Sequence, residues 1–598
     1  MTDNQVVDVQ ECDSLVVGGG VGGVAATLAA CRAGYRVHLA EETAWLGGQM
    51  TSQGVSALDE HAHIEQFGGT RSYAAFREGV RHYYRHNLTP TGNTEGRFGY
   101  FNPGDGWVSR LCFEPKVGVG VIATMLLPYV ASGALDIHYR FKPVATRVKG
   151  SRVCEVQLQR NGGSAQLAIR ATYVIDATEL GDLLPLTGCN WVSGAESRDQ
   201  TGEPGAREQG LAPHLNQTYT YPFVVDFRAG EDHTISPPPN YEKLRDEQPF
   251  TLTLRYGTED KTYKVFEDVP DLPGSFWAYR RILATSQFAK GEVPGDLSMI
   301  NWPGNDFKGG DLITASAADR GRLLTEAKAL SLSFLYWLQT EVPRDDGSGN
   351  GYPELRLRTD VLGTADGLSM YPYIRESRRI VALTTVKEQD VSAEFQDGAR
   401  ARRFPDSVGL GWYPIDIHGL PDDPAKGGAA KPFQIPLRSL VPRGGDNLLA
   451  GAKNLGVTHI TNGCYRLHPV EWNVGEAVGE LAAFCLSRRV GPERVAGDEA
   501  LLWSFQKQLV ASGIPLFWFT DVPLEHPAFA SVQRLAAAGA LQASDDHLLF
   551  EPDEIMGQDD ALVLRQRAEV GKDTIPTGVT RAEATARVQD RLDTDGNS

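Results

Sequence analysis

The chain has 598 residues, with 58 Lys and Arg against 76 Asp and Glu, a net charge of −18. That balance leaves little clustered basic surface for general nucleic-acid binding. The 41% apolar and 22% charged residues exclude global disorder, and the length predicts two to four domains sharing one large body.

The first 13 residues, Met1 to Asp13, are polar and acidic, unlike the apolar stretch of a secretory leader. Ser14 to Val17 reads as a short buried strand ending in Gly18-Gly19-Gly20-Val21-Gly22-Gly23. Glycines at 18, 20 and 23 fit G-x-G-x-x-G. A small-residue helix over 24–33 follows, stopped by Gly34, and then a strand over 35–40 ending at Glu41 and Glu42. The physical reading is specific. Gly18 permits the tight turn and Gly20 lets the backbone approach a pyrophosphate. Gly23 lets the helix sit close on the sheet, and the acid accepts from ribose hydroxyls. NAD and FAD both use this arrangement, and an acid at 41 disfavours a 2′-phosphate on that ribose. Gly118-Val119-Gly120-Val121-Ile122-Ala123 mimics a second fingerprint, but Pro115 spoils the strand before it, so 117–132 reads as a helix. Strands are expected over 135–139 and 144–148. The best apolar run, 329–338, is broken by Ser331 and Ser333 and reads as a buried helix, since spanning a bilayer takes roughly 18 apolar residues. The seven cysteines are widely spaced and lack Cys-x-x-Cys, which argues against a zinc knuckle or dithiol motif and for a reducing compartment. The expectation is a soluble, cytoplasmic protein.

Three further segments carry a resemblance. Leu46-Gly47-Gly48-Gln49 follows the ribose-binding acid. Tyr173 to Asp182 reads Tyr-Val-Ile-Asp-Ala-Thr-Glu-Leu-Gly-Asp, with Glu179 after Ala177-Thr178. Asn447-Leu448-Leu449-Ala450-Gly451 precedes Val474-Gly475-Glu476-Ala477-Val478-Gly479. With the glycine motif, these segments resemble the FAD-dependent oxidoreductase family with the glutathione-reductase type of FAD domain. The nearest likeness is to a bacterial subfamily known only as FAD-dependent oxidoreductases. The resemblance implies an α/β fold with a Rossmann-type FAD-binding domain and FAD as cofactor. It implies that Gly18, Gly20, Val21, Gly22, Gly23, Glu41, Glu42, Gly47, Gly48, Gln49, Val144, Ala177, Thr178, Gly451, Gly475 and Glu476 line the cofactor. The backbone near Val144 would meet the adenine. The helix containing Gly475 would turn its N-terminus to the flavin's pyrimidine end. Glu179 stands where the family usually has glycine.

The FAD domain is expected to be discontinuous, over 10–55, 112–195 and 435–490. A mixed α+β substrate domain would be built from 56–111 and 196–434, with a small helical C-terminal module over 495–598. Because the three FAD-type segments end before about 490, residues 1–490 are expected to hold the flavin alone. Asp521-Val522-Pro523, His526-Pro527 and Phe550-Glu551-Pro552 weakly resemble an S-layer-homology repeat.

Histidine is the commonest proton-moving group near neutral pH. His459 and Arg466 flank Thr461-Asn462-Gly463, before the flavin-end helix, and His61 follows the Gly47-Gly48 segment. These three are the catalytic candidates: His459 as base, Arg466 as carboxylate or oxyanion anchor, His61 lining the ring. His418 and His468 come second. Arg375 and Arg379 would share a helix face, with salt bridges as their main role. His61-Ala62-His63 beside Asp59 and Glu60 has metal-ligand residue types, and no metal is expected.

The expected activity is oxidation of a small polar organic substrate by hydride transfer to flavin N5, by a dehydrogenase or an oxidase. A flavin-dependent reductase or desaturase is the alternative. From another class, a flavin-containing envelope or assembly-associated binding protein remains open. The expected partners are a small-molecule substrate and an electron acceptor, without nucleic acid or a membrane span. A homo-oligomer is compatible with all of this.

Overall fold

The computed structural model describes residues 8–91, 96–208, 210–256, 259–420, 422–423 and 427–595. Strand β1 (Asp8–Val17) leads into helix α1 (Val21–Arg32) and strand β2 (Val37–Glu41). Every residue of α1 from Val21 to Cys31 is buried. Burial on all sides explains why the helix is built from Ala, Gly and Val with no polar face. Helices α2 (Arg71–Asn87) and α3 (Pro115–Ser132) follow, then β3 (Leu135–Tyr139), β4 (Phe141–Lys149), β5 (Arg152–Arg160) and β6 (Gln166–Asp176).

These strands form one seven-stranded sheet. β3, β2, β1 and β6 are parallel neighbours in that order. Beyond β6 the sheet divides. Its first half pairs antiparallel with β5, which pairs with β4. Its second half pairs in parallel with Leu448–Ala450, Leu448 lying opposite Val174. Segments far apart in sequence, 10–55, 112–195 and 435–490, thus converge on one sheet. The second fingerprint-like run lies inside α3, as expected from its Pro115 start. α3 is 18 residues long, with a mean hydropathy of 1.3 over its length and one third of it buried. By composition it is the single described helix that could cross a bilayer, although no unbroken apolar run marks it.

Two expectations for helices are corrected. The helix after Gly451 runs from His468 to Arg488, with Pro469 in its first turn, a position that proline favours. Gly475 and Glu476 therefore lie in its body and not at its N-terminus. Residues 374–378 are not helical and lead into the short strand Arg379–Ile380, which pairs with Trp191–Val192. Arg375 and Arg379 share no helix face.

The substrate region has its own antiparallel sheet, ordered Arg281–Leu283, Leu297–Ile300, Phe223–Phe227, Leu355–Leu357. Helix Ala317–Thr340 packs with it around an aromatic core that includes Phe223, Phe276, Trp302, Phe334 and Trp337. The boundary near 490 is also corrected. Phe505, Leu509, Leu516, Trp518 and Phe519 belong to the same core as β1 and α1. Trp518 donates its indole N–H to the Phe433 carbonyl at 2.9 Å, and Gln434 donates to the Leu516 carbonyl at 2.6 Å. A separate small core, including Leu535, Leu564, Ile575, Ala584 and Val588, forms only in the last part of the chain.

Candidate cofactor cleft and adjoining chamber

The turn after β1 is held open by glycine. Gly18 has φ +100°, and a side chain there would run into the Ala177 carbonyl. A Cβ on Gly22 would strike the Gly451 carbonyl, and one on Gly475 the Gly22 carbonyl. Gly475 is thus a packing residue that lets α1 and the helix His468–Arg488 touch. Glu476 is also corrected. It turns away from the cleft, paired with Arg32 at 2.6 Å and accepting from the Ser72 hydroxyl at 2.6 Å.

A cleft is left at the ends of β1, β2 and β6, where open α/β sheets bind ligands. It is lined by Gly18, Gly20, Glu41, Glu42, Gly48, Ser52, Gln53, Phe141, Pro143, Ala177, Thr178, Glu179 and Tyr371. Glu41 accepts from the Gly19 amide at 2.7 Å and the Thr43 amide at 2.8 Å, which fixes it at the end of β2. Gly47 donates to the Gly19 carbonyl at 2.8 Å, so the Leu46-Gly47-Gly48 loop lies on the glycine turn. Burial, with Asp182 nearby, pushes the Glu42 carboxyl up to about 8. The β4–β5 register shifts between Pro143 and Ala145, so Val144 is left out of the ladder. A bulge of this kind bends the strand locally and is common beside binding sites. Thr178 does not act as a lone lining residue. Its hydroxyl donates to Asp176 at 2.7 Å and accepts from the Asp182 amide, which shapes the turn carrying Glu179.

The backbone of the cradle has the shape a pyrophosphate needs, with the Glu179 carboxylate standing between Gly20 and Gly48. α1 starts at Gly20 with no cap from that residue, which turns the positive end of the helix toward an anion. Sequence reasoning missed what stands there. A Cβ on Gly20 would first meet Glu179 Oε1, at 2.6 Å, and that oxygen is buried without a partner. The other Glu179 oxygen is paired with Lys453, which also lies 3.3 Å from Glu471. Glu471 sits in the first turn of His468–Arg488 and accepts from the Gln49 side chain and the Gly22 amide. Burial opposes the Lys453 charge, but Glu179 and Glu471 outweigh it and raise the ammonium to about 12. Lys453 is the buried cation beside the cradle. Its only sequence signal is a charge two residues after Gly451.

A cluster of charged and polar side chains adjoins the cleft. Tyr371 lines the cleft, and its amide donates to the Ser52 carbonyl at 3.2 Å. Two residues on, the Tyr373 hydroxyl accepts from Arg466 at 3.0 Å. Arg466 also pairs with Asp416 at 3.0 Å, and its carbonyl accepts from Gln49 at 2.9 Å. His418 lies between Asp306, at 2.6 Å, and Asp416, at 3.3 Å, and Arg375 pairs with Asp306 at 2.9 Å. Arg280 pairs with Asp59 at 3.0 Å. Tyr279, Tyr413, Asp416 and His418 are surrounded by protein, yet each is only partly covered. Asp416 keeps 41% of its side-chain surface open. Burial disfavours the Asp416 charge, but His418 and Arg466 hold its carboxyl well below the usual range. Burial and Arg375 disfavour a proton on His418, but Asp416 and Asp306 outweigh them and raise it.

Two of the catalytic expectations change. His459 is buried, with Nδ1 2.8 Å from Glu376 and Nε2 2.8 Å from Asp423. With both nitrogens engaged it has no free site for a substrate proton. Burial opposes its charge, but the carboxylates win and raise it to about 10. It is a structural cation. A group whose folded pKa is raised contributes stability fully below its unfolded pKa near 6.5 and loses it as pH climbs through the folded value. His459→Gln should therefore cost about 3–5 kcal/mol near pH 6, the usual cost of breaking a buried pair. The gap from wild type should narrow between pH 6.5 and 10, as read by denaturant melts at several pH values. His61 is enclosed by Trp518, Trp412 and Gly68, with ring centroids 5.1 Å from Trp518 and 6.3 Å from Trp412. Burial lowers it to about 3, so it is a neutral packing group and not a lining residue of the cleft. His468 accepts from the Asp59 amide at 3.0 Å and donates to the Val55 carbonyl at 3.1 Å, a backbone staple. Asp59 and Glu60 are taken by Arg280 and Arg77. Arg466 is the one first-rank candidate in the cluster beside the cleft, and it is buried.

No curated protein matches the chain. The chain is similar to the myxobacterial chondrochloren halogenase, at 12% identity over 98% of this chain and 97% of that one, with a TM-score of 0.29. It is similar to the anhydrotetracycline hydroxylase of Streptomyces rimosus, at 11% identity over 88% and 68%, with a TM-score of 0.31. It is also similar to the L-proline dehydrogenase of P. horikoshii, at 16% identity over 33% and 26%, with a TM-score of 0.15. The chain spans only about a quarter of that dehydrogenase's length. Nothing among the matches supports the S-layer-like resemblance of the C-terminal segment. Residues 13–509 match the family described as FAD dependent oxidoreductase. With a glycine cradle, a ribose-side acid and an uncapped helix start in one cleft, the chain belongs to that family, and FAD is its cofactor.

Proposed function

We propose that this oxidoreductase oxidises a small polar substrate carrying a carboxylate or similar oxyanion, at a CH–OH or CH–NH carbon, by hydride transfer to flavin N5. The observation that carries this reading is the cluster of Arg466, Tyr373, Asp416 and His418 beyond Tyr371, in which Asp416 and His418 are partly exposed. When bound, the flavin supplies the two-electron acceptor. The residues do the rest. Gly20, Gly48 and the start of α1 cradle the pyrophosphate, and Glu41 faces the ribose. Arg466 is buried, with Nη1 on Tyr373 and Nη2 on Asp416, so a carboxylate or developing oxyanion would reach its planar fork by taking the place of Asp416. The Tyr373 phenol is pushed up by burial and stays a neutral donor. His418, backed by Asp306, holds or takes the O–H or N–H proton. Both His418 nitrogens face carboxylates, as those of His459 do, but the Asp416 contact is longer, 3.3 Å at Nε2, and the ring is partly exposed, so a substrate displacing Asp416 would free that nitrogen.

Anaerobic stopped-flow reduction by a panel of hydroxy and amino acids tests the reading. One or more members should bleach the flavin. Arg466→Lys should retain FAD and slow reduction about 10²–10³-fold, and His418→Gln about 10²–10⁴-fold. Because His418 acts as base only when neutral and its pKa is raised, the wild-type rate should climb as pH rises above 6.5. His418→Gln should lose that climb. Wild-type rates in both variants would reject the assignment.

A further inference from the structure

A second cavity of about 750 Å³ lies away from the cleft. One wall is the loop 396–403 of the main body, the other is 539–545 with Arg567 at the end of helix Gln558–Arg567. Three guanidinium groups line it, those of Arg400, Arg403 and Arg567.

Their electrostatic setting matters in a chain with net charge −18. Arg466, Arg375, Arg379 and Arg280 each have a carboxylate partner. Among the described residues, none lies within ion-pair distance of Arg400, Arg403 or Arg567. Arg400 is fixed by backbone carbonyls. Its Nε donates to Trp518 at 2.9 Å and its Nη1 to Ser544 at 2.8 Å and His547 at 3.0 Å. Its guanidinium lies 5.2 Å over the Phe517 ring and 5.0 Å over the Phe519 ring, and Nη2 is buried without a partner. Arg403 donates to the Ala537 carbonyl at 2.8 Å, and Arg567 to the Gly539 carbonyl at 3.1 Å. Asp545 is the acid in the lining, and Asp521 stands further back, capping the Phe550 and Glu551 amides. Arg403 feels Arg567 as a like charge, which with burial lowers its pKa. Three cations held on neutral carbonyls repel one another until an anion joins them, and planar guanidinium forks match tetrahedral oxyanions.

We propose that this groove is a binding site for a compact multivalent oxyanion, free phosphate or a phosphate monoester of a small metabolite. Arg403 and Arg567 contact the oxyanion at the rim, and Arg400 supplies fixed positive charge behind it. Because the walls come from the main body and from the C-terminal helices, the anion would clamp one to the other. The inference is independent of the substrate reading above, since no residue of the Arg466 cluster takes part.

Thermal melts and calorimetry on the full-length, flavin-loaded protein test it, in inorganic phosphate or glycerol phosphate, against chloride at equal ionic strength. The expected result is saturable binding to wild type and a rise in Tm that grows with phosphate, as for any ligand favouring the folded state. The tighter of the two probes identifies the source. Arg403→Ser/Arg567→Ser removes two exposed side chains without a carboxylate partner. It should fold, keep its flavin and bind at least ten-fold more weakly. An equal Tm rise in chloride, or unchanged phosphate affinity in the double variant, would overturn the proposal. If the double variant lost its flavin, the single variant Arg567→Ser would decide, by retaining or losing phosphate affinity.

Discussion

Gly20→Val is expected to give a folded but colourless protein. The valine methyls would grow into the cradle, where the first atom they meet is Glu179 Oε1, the far end of a side chain that can turn away. The fold should therefore survive, while the space that a pyrophosphate needs is filled. Retention of FAD, read from the 450 nm to 280 nm absorbance ratio after gel filtration, should fall at least ~100-fold, equivalent to about 2.7 kcal/mol or more of cofactor binding. Gly22→Val separates cradle from scaffold. Its side chain would strike the Gly451 carbonyl, a backbone atom in the contact between α1 and the strand end. Overpacking of that kind costs about 1–3 kcal/mol or more, so Gly22→Val should lower Tm clearly even before flavin is measured. A yellow Gly20→Val protein with normal FAD content would remove the cradle from the cofactor site.

Cutting the chain after Arg489 is expected to abolish soluble protein. Phe505, Leu509, Leu516, Trp518 and Phe519 are buried in the core that also holds β1 and α1. At about 1.5–3 kcal/mol for each large side chain, their loss is on the order of 10 kcal/mol. That is as large as the whole stability of a typical domain, about 5–15 kcal/mol. A cut after Pro552 should behave differently. It keeps those five residues and Phe550, and removes most of the separate small core around Leu564, Ala584 and Val588. Comparing the two truncations by soluble yield and FAD content checks the boundary. A soluble yellow 1–489 fragment would restore a boundary near 490.

The cofactor cleft was legible in the sequence because its determinants are local. The glycine turn, the small-residue helix and the ribose-side acid occupy 18–42 in uninterrupted order, and each demands a residue type that the physics of the turn specifies. The helix in 115–132 was legible for a similar reason, since Pro115 both spoils a strand and starts a helix. Residues drawn from distant segments were not legible. Lys453 meets Glu179 across 274 positions, and Arg375 meets Asp306 across 69. Nothing in the composition near 453 shows that its charge will be buried between two acids. Glu476 lies beside the glycine that packs on α1, yet reaches away from the cleft to Arg32 at the end of α1 and to Ser72, because neighbours on a helix face different directions.

The histidines make the division plain. His459, His418, His61 and His468 are the same group in sequence, and adjacency to a flavin-type segment favoured His459 and His61. Tertiary contacts decide otherwise. Two carboxylates lock His459 as a cation, aromatic rings and burial keep His61 neutral, and two backbone groups staple His468. Of the four, only His418 combines acid partners with a partly exposed ring. By itself the sequence determined the glycine turn and the family, because a backbone turn is specified by the residues that make it. The tertiary structure alone decided which ionisable groups can act, because charge state follows from burial and from partners that the chain brings together only on folding.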